Sequence, residues 1–390
     1  NGSIDKLKSN NNENDSSASA PIAKEVAFAY TTALNHLLRR ETHNRQRLQI
    51  GDASVVFWAQ ADSIEQAQAA EHLFAEFIDP KDEDAREAEK VREALEQVRQ
   101  GRALHDLDPR LNDGTRIFVL GLSPNASRLS VRYWETGTLR AFAERLAAHH
   151  EDLRLEPSPW RTPPALWRLL LATAPTRDGK AKSEDVPPQL AGELARAILT
   201  GGRYPSSLLG ALIMRLRADG DERAFGVRAA LIKATLARSK RLGHKGNSKG
   251  GPPVSLDPGN TDPGYLLGRL FSSLENIQRA ALGKQINATI RDRFYGAASA
   301  TPAGVFPVLL RNAQHHLSRL RKDKPGYAVM LEKEVGEIVD LLGTSFPRSL
   351  GIEAQGHFAI GYYHQSRARF ASGAAPEAAE ETQNPEGEPA

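Results

Sequence analysis

The sequence predicts a mainly helical protein, in which a C-terminal helical bundle is preceded by a small α+β domain with a short antiparallel sheet. Three observations carry this prediction. Short β-favouring runs fall in the first half of the chain, at Val55–Trp58, Ile117–Leu120 and Arg128–Trp134. Beyond about Pro188 nearly every apolar residue recurs at helical spacing. Between the two regions, Pro157–Pro164 and Ala174–Pro188 are proline-rich or charged connectors.

In chain order, residues 1–20 are Asn- and Ser-rich with almost no apolar side chain, the composition of a disordered tract. A helix is expected from Ala23 to Arg39. Leu48–Ala59 reads as a turn entering a buried strand, because Val55, Val56, Phe57 and Trp58 follow Gly51-Asp52. Ser63–Gln100 is helical with a break at Pro80, and its second half is laced with i,i+4 charge pairs. Asp113-Gly114 opens the second β region, where two strands flanking Ser123-Pro124-Asn125 form a hairpin able to pair with Val55–Trp58. Leu139–Leu153 is a further amphipathic helix. A domain boundary is expected between Ala174 and Pro188, giving an α+β domain over 21–175 and a bundle over 176–370. Within the bundle, Leu208, Leu209, Leu212, Ile213 and Leu216 form one apolar stripe, and Phe225, Ala229, Ile232 and Leu236 another. Ser239–Gly251 is basic and glycine-rich, as a mobile loop would be, and Asp262-Pro263 starts the next helix. Helices over Tyr327–Leu342 and Ile352–Phe370 complete the bundle, and an acidic tail over 371–390 is expected to be disordered.

Composition excludes several function classes. There is no cysteine, so disulfides and thiolate metal sites are ruled out, and a reducing cytoplasm fits. No run approaches the roughly eighteen apolar residues that cross a bilayer, so no membrane partner is expected. Net charge is only +3, yet the charge is unevenly placed. Acids dominate from Asp62 to Arg99, whereas Arg203–Lys249 holds eleven Lys and Arg against Asp219, Asp221 and Glu222. Such asymmetry points to a polyanion-facing surface better than the mean charge does.

The sharpest pattern lies in Ile286–Lys322, two basic helical pieces joined by a small-residue elbow at Gly296-Ala297-Ala298-Ser299-Ala300. Thr301 is placed to cap the second piece and Pro302 to begin it. At about 100° per residue, Leu310, Ala313, Leu317 and Leu320 share one side of that helix, with Arg311, His315, Ser318, Arg319 and Lys322 roughly opposite. One face is built to bury and the other to meet an anion, with an ordinary solvated face as the alternative.

Eight collinear blocks resemble one family. They are Ala27–Leu38, Gly51–Ala59, Arg116–Trp134, Tyr204–Asp219, Arg228–Arg238, Pro263–Gln278, Ile286–Arg321 and Gln355–Gln365. Together they resemble the large subunit of the type I-C CRISPR Cascade complex, the Csd family. The resemblance covers roughly residues 21 to 370, and it implies a non-catalytic subunit of an RNA-guided surveillance complex. Guide RNA then reads sequence by pairing, while protein subunits hold the duplex and the displaced strand. It further implies that the C-terminal bundle stabilises the R-loop, and that the same bundle can be made separately as a small subunit. The family has a longer segment before the Ala27–Leu38 block, contacting the guide handle and the motif-bearing duplex. A polar tract occupies that place here, so the bundle functions rather than motif reading are expected of this chain. The implied partners are the guide RNA complex, target double-stranded DNA and its displaced strand, the other Cascade backbone subunits and a helicase-nuclease. No cofactor is implied.

A bundle that guides single-stranded DNA needs cations spaced along a track, since each neutralised phosphate releases counterions. The candidates are Arg215, Arg217, Arg228, Lys233, Arg238, Arg291, Arg293, Arg311, His315, Arg319 and Lys322. Tyr204 and Tyr295 are read either as base-stacking side chains or as core. Two other classes stay open: a free-standing nucleic-acid-binding scaffold, and a metal-dependent nuclease built on His105-Asp106. That pair lacks the further His and Asp such a site requires. His357 and His364 lie seven residues apart with no evident carboxylate partner, and the adjacent His315 and His316 point apart on a helix. Gly246–Gly250 lacks the GK[ST] ending of a phosphate loop, and Asn125-Ala126-Ser127 is a glycosylation sequon without secretory context.

Overall fold

The computed structural model describes residues 23–41, 44–50, 53–80, 85–125, 128–177, 179–220, 222–243, 251–283 and 286–371. Residues 1–20, residues 372–390 of the expected acidic tail, the Gly246–Gly250 segment and the turn of the sequon lie outside these residues, whereas Ala371 is helical. Contacts divide the chain at Pro252/Pro253 into two units. The boundary anticipated between Ala174 and Pro188 therefore falls inside the first unit.

The first unit opens with helix α1 (Lys24–Leu37), which buries none of its residues. Strands β1 (Arg47–Ile50), β2 (Ala53–Gln60), β3 (Arg116–Asn125) and β4 (Arg128–Thr138) form an antiparallel sheet in sequence order. The reading of Leu48–Ala59 as a turn entering a single strand is corrected: Arg47–Ile50 is itself a strand paired with β2, with Arg47 opposite Val56. Val56 is opposite Leu120 and Leu120 opposite Trp134, so these four positions share one face. On the other face Val55, Phe57, Ile117 and Val119 are buried. Helices α2 (Ile64–Ile78) and α4 (Leu139–Leu153) cover that face, with Phe57 edge-on to Phe74 at 4.8 Å and Phe74 edge-on to Phe142 at 5.4 Å. Each helix starts on a side-chain cap, Ser63 accepting from the Gln66 amide and Thr138 from the Ala141 amide. Gly121 has no room for a side chain, because a Cβ there would lie 2.7 Å from the Tyr133 ring. Helix α3 (Ala85–Arg99) packs on α4.

After helix α5 (Leu166–Leu171) and the two-residue strands β5 (Thr176–Arg177) and β6 (Lys180–Ala181), helices α6 (Pro188–Thr200), α7 (Ser206–Ala218) and α8 (Glu222–Arg241) follow. α6 and α8 both pack on α4, which ties this stretch to the first unit. The predicted stripes are its core: Leu208, Leu212, Ala229 and Ile232 have no exposed surface.

The second unit is a bundle of α9 (Pro263–Leu282), α10 (Ile290–Ala300), α11 (Pro302–Asp323), α12 (Pro325–Leu342) and α13 (Ile352–Ala371). Asp262 caps α9 by accepting from the Tyr265 amide at 2.9 Å. α9 and α13 run parallel with their backbones in contact. A Cβ at Gly264 would meet the Ala354 carbonyl, one at Gly268 the Phe358 carbonyl, and one at Gly361 the Tyr265 carbonyl. Buried polar side chains seal this seam: the Tyr265 hydroxyl meets His364 Nδ1 at 3.0 Å, Tyr362 donates to Glu275 at 2.6 Å, and Arg269 Nε donates to Gln365 at 2.9 Å.

The joints α10/α11 and α11/α12 are single residues, Thr301 (φ −131°, ψ 66°) and Lys324 (φ −141°, ψ 72°). Each precedes a proline, whose ring disfavours helical backbone at the residue before it. The expected five-residue elbow is thus corrected: Gly296–Ala300 is the last turn of α10, and the break is Thr301 alone. Thr301 makes no side-chain cap, donating instead to the Ala297 carbonyl, while Pro302 does occupy the first turn of α11.

Candidate nucleic-acid interface

α11 owes its place to one greasy side. Phe306, Leu309, Ala313, Leu317 and Leu320 are buried, with exposures from 0% to 4%. Leu309 takes the position expected of Leu310, which is only half-buried. The side so fixed turns Arg311, His315, Ser318, Arg319 and Lys322 outward, all of them exposed. α11 carries no acid before Asp323. The neighbouring Arg321 is different, since α12 supplies Glu332 to it at 2.5 Å. Among the described residues no carboxylate lies within ion-pair distance of Arg311, Arg319 or Lys322. His316, beside the stripe, is held below its ordinary value by partial burial and by His315 and Arg319.

Of the other cations of this unit, Arg293 is exposed on α10. Arg291 is 8% exposed, with its guanidinium 5.7 Å above the Tyr362 ring. Tyr295 is buried among Phe271, Phe358 and Tyr362, so it is core and offers no stacking surface.

In the first unit the expected track is largely turned inward. Arg228 is 1% exposed and donates to Asp219 at 2.6 Å and to the Ala172 and Ala174 carbonyls. Arg215 meets the same Asp219 at 3.5 Å. Arg238 is fully buried, donating to Asp152 at 2.7 Å beneath the Tyr204 ring at 4.1 Å, and Arg241 takes the same carboxylate oxygen at 2.7 Å. Lys233 donates to the Glu151 carbonyl at 3.1 Å, and burial lowers its pKa. Arg228, Lys233 and Arg238 therefore present no charge to a polyanion, a correction to the sequence-based set. Their positive ends lock α8 to α4 and to the α5–β5 connector. Arg217 stands exposed on α7. Tyr204 is 7% exposed with its hydroxyl 2.5 Å from His149 Nδ1, a core position.

The histidine motifs resolve into fold contacts. His357 Nδ1 meets the Asp262 carboxylate at 2.9 Å, the partner sequence reasoning did not find, and His364 joins Tyr265 to the Val254 carbonyl. His105 and Asp106 pair at 3.1 Å on the surface, and among the described residues no group of three His, Cys, Asp or Glu could hold a metal ion. Sequence reasoning also passed over an arginine-lined cleft of about 430 Å³ beside β1, bounded by Arg39, Arg40, Arg47 and Gln49. Its signal was present as four arginines within Arg39–Arg47.

Comparison with known families matches residues 5–370 to the CRISPR-associated protein family Cas_Csd1. The chain belongs to the Csd1 family. The family is the large subunit of type I-C Cascade, so this Csd1 chain is a CRISPR-associated Cascade subunit with partners inside that complex. No curated protein matches the chain. No helix among the described residues of this Csd1 chain is long and apolar enough to cross a membrane.

Proposed function

We propose that this chain is a non-catalytic Cascade subunit that holds the displaced DNA strand along the outward side of α11. In doing so it stabilises the R-loop and helps present the complex to the helicase-nuclease. One observation supports this reading above the rest: Arg311, His315, Arg319 and Lys322 are exposed on one side of α11, which itself carries no acid before Asp323. From Arg311 to Lys322 the helix rises about 17 Å at 1.5 Å per residue, a track several phosphates long. Guide pairing exchanges one duplex for another of similar stability, so modest backbone contacts decide whether the open state persists. Each cation that neutralises a phosphate of a single strand adds about 0.7 to the salt slope.

The test is a titration of a fluorescent single-stranded oligonucleotide at several salt concentrations, comparing the wild-type chain with Arg311→Glu/Arg319→Glu/Lys322→Glu. The reversed chain is expected to bind more weakly and with a slope shallower by about 2. Equal slopes would remove α11 from the interface. A free-standing scaffold is the second reading. It would bind target DNA equally well without guide RNA and the other subunits.

A further inference from the structure

The sheet of the first unit packs one face on α2 and α4, and its second face buries Val56 yet leaves Trp134 half exposed. On the second face stand Trp58, Phe118 and Trp134, one from each of β2, β3 and β4. Trp58 and Phe118 lie stacked, with centroids 5.4 Å apart and planes within 14°. Trp134 leans on both, 5.4 Å from Trp58 and 6.1 Å from Phe118, and keeps half of its surface exposed. Cross-strand aromatic pairing alone would account for rings in contact. It does not account for the charge around them. Arg116 lies on the same face with its guanidinium 5.3 Å from the Phe118 ring centre. Arg47 enters the face from β1, opposite Val56. Every strand position sharing this face, from Arg47 and Gln49 through Gln60 and Arg116 to Thr136, lacks a carboxylate.

The arginine cleft continues this surface, since Arg47 and Gln49 belong to both. There Arg39, Arg40 and Arg47 converge, and among the described residues that line the cleft Glu41 is the one acid, pairing with Arg39 at 3.8 Å. Burial lowers the pKa of Arg47, and the adjacent Arg40 lowers it further. Like charges held together beside an open cleft are relieved by an anion.

We propose that this face binds a single-stranded nucleic acid, stacking bases on Trp134 and the Trp58–Phe118 pair while the arginine cleft takes the backbone phosphates. Rings joined to a cationic groove are what a sequence-tolerant single-strand site requires, because every base has a π-face and every nucleotide a phosphate. The contacts touch base faces and phosphates rather than sugar hydroxyls, so the site treats DNA and RNA alike and rejects a duplex, whose bases are already stacked. This surface belongs to the first unit and does not depend on the function proposed for α11.

The experiment uses the full chain carrying Arg311→Glu, Arg319→Glu and Lys322→Glu, so that α11 contributes no binding. Tryptophan fluorescence and anisotropy are followed while a twelve-nucleotide oligo-dT, the matching oligo-U and a twelve-base-pair duplex are added. The expected result is quenching by both single strands at affinities within a few fold, and much weaker binding of the duplex. Trp134→Ala weakens both single strands about tenfold and Trp134→Phe restores most of the loss. Arg40→Gln, at an exposed position that needs no repacking, lowers the salt slope by about 0.7. Affinity unchanged in both Trp134→Ala and Arg40→Gln overturns the proposal, as does a duplex bound as tightly as the single strands. If Trp134→Ala instead blocks assembly with the other subunits and leaves oligonucleotide affinity intact, the face is a protein contact and the proposal is wrong.

Discussion

Arg238 and Arg319 are the same residue on amphipathic helices, yet one is sealed against Asp152 and the other stands in solvent. Their surroundings give opposite expectations. Asp152→Ala leaves a buried guanidinium without its carboxylate, and urea unfolding should show a loss of about 3–5 kcal/mol. Arg319→Ala removes no buried contact and should shift stability by less than about 0.5 kcal/mol. Two residues before that aspartate, His150 lies near the Phe77 carbonyl, and burial pushes its pKa down to about 4 from 6.5. His149 is depressed as well, by burial first and then by His150 and Arg238. A depressed histidine favours the fold above its unfolded pKa, where both states are neutral. As pH falls from about 6.5 to about 4, the unfolded chain takes up protons that the folded chain refuses, so stability drops across that window. Thermal midpoints measured from pH 7 to 4 should fall, and His150→Gln should flatten the dependence.

Between elements, the closest approach is the α9–α13 seam. Gly268→Ala drives a methyl into the Phe358 backbone, which cannot swing aside as a side chain would. A cost of about 1–3 kcal/mol is expected from the forced separation of the helices. Gly336 in α12 meets nothing within 4 Å, so Gly336→Ala should instead stabilise by about 0.5–1 kcal/mol through helix propensity. Chemical denaturation of the two variants checks both signs. Helix spacing was legible in the sequence wherever one face is apolar, as in α4, whose bounds match the Leu139–Leu153 pattern. The glycine seam was not, because α13 is buried all round from Gly356 to Gln365 and so has no polar side to betray its packing. β1 was missed because four residues, Arg47–Ile50, are too few to show alternation. The joints at Thr301 and Lys324 were readable from the prolines that follow them, once the small residues of α10 are taken as helix formers.

Over the whole molecule, a surplus of positive residues does not say which way they point. The run Arg203–Lys249 looked like a polyanion surface, yet Arg228, Lys233 and Arg238 close the first unit from within. Two of these cations find partners distant in sequence, Arg238 at Asp152 86 residues away and Lys233 at the Glu151 carbonyl 82 residues away, and single-chain patterning is blind to such pairs. The same pairs explain why contacts divide the chain at Pro252/Pro253 and not near Ala174. On α11 the opposite held: a local apolar stripe was enough to place Arg311, Arg319 and Lys322 outside. The most direct measurement is R-loop formation by Cascade reconstituted with the Arg311→Glu/Arg319→Glu/Lys322→Glu chain, followed by permanganate reactivity of the displaced strand across a salt series. The account predicts normal assembly with fewer open complexes and an earlier loss as salt rises. Opening indistinguishable from wild type at every salt concentration would contradict it.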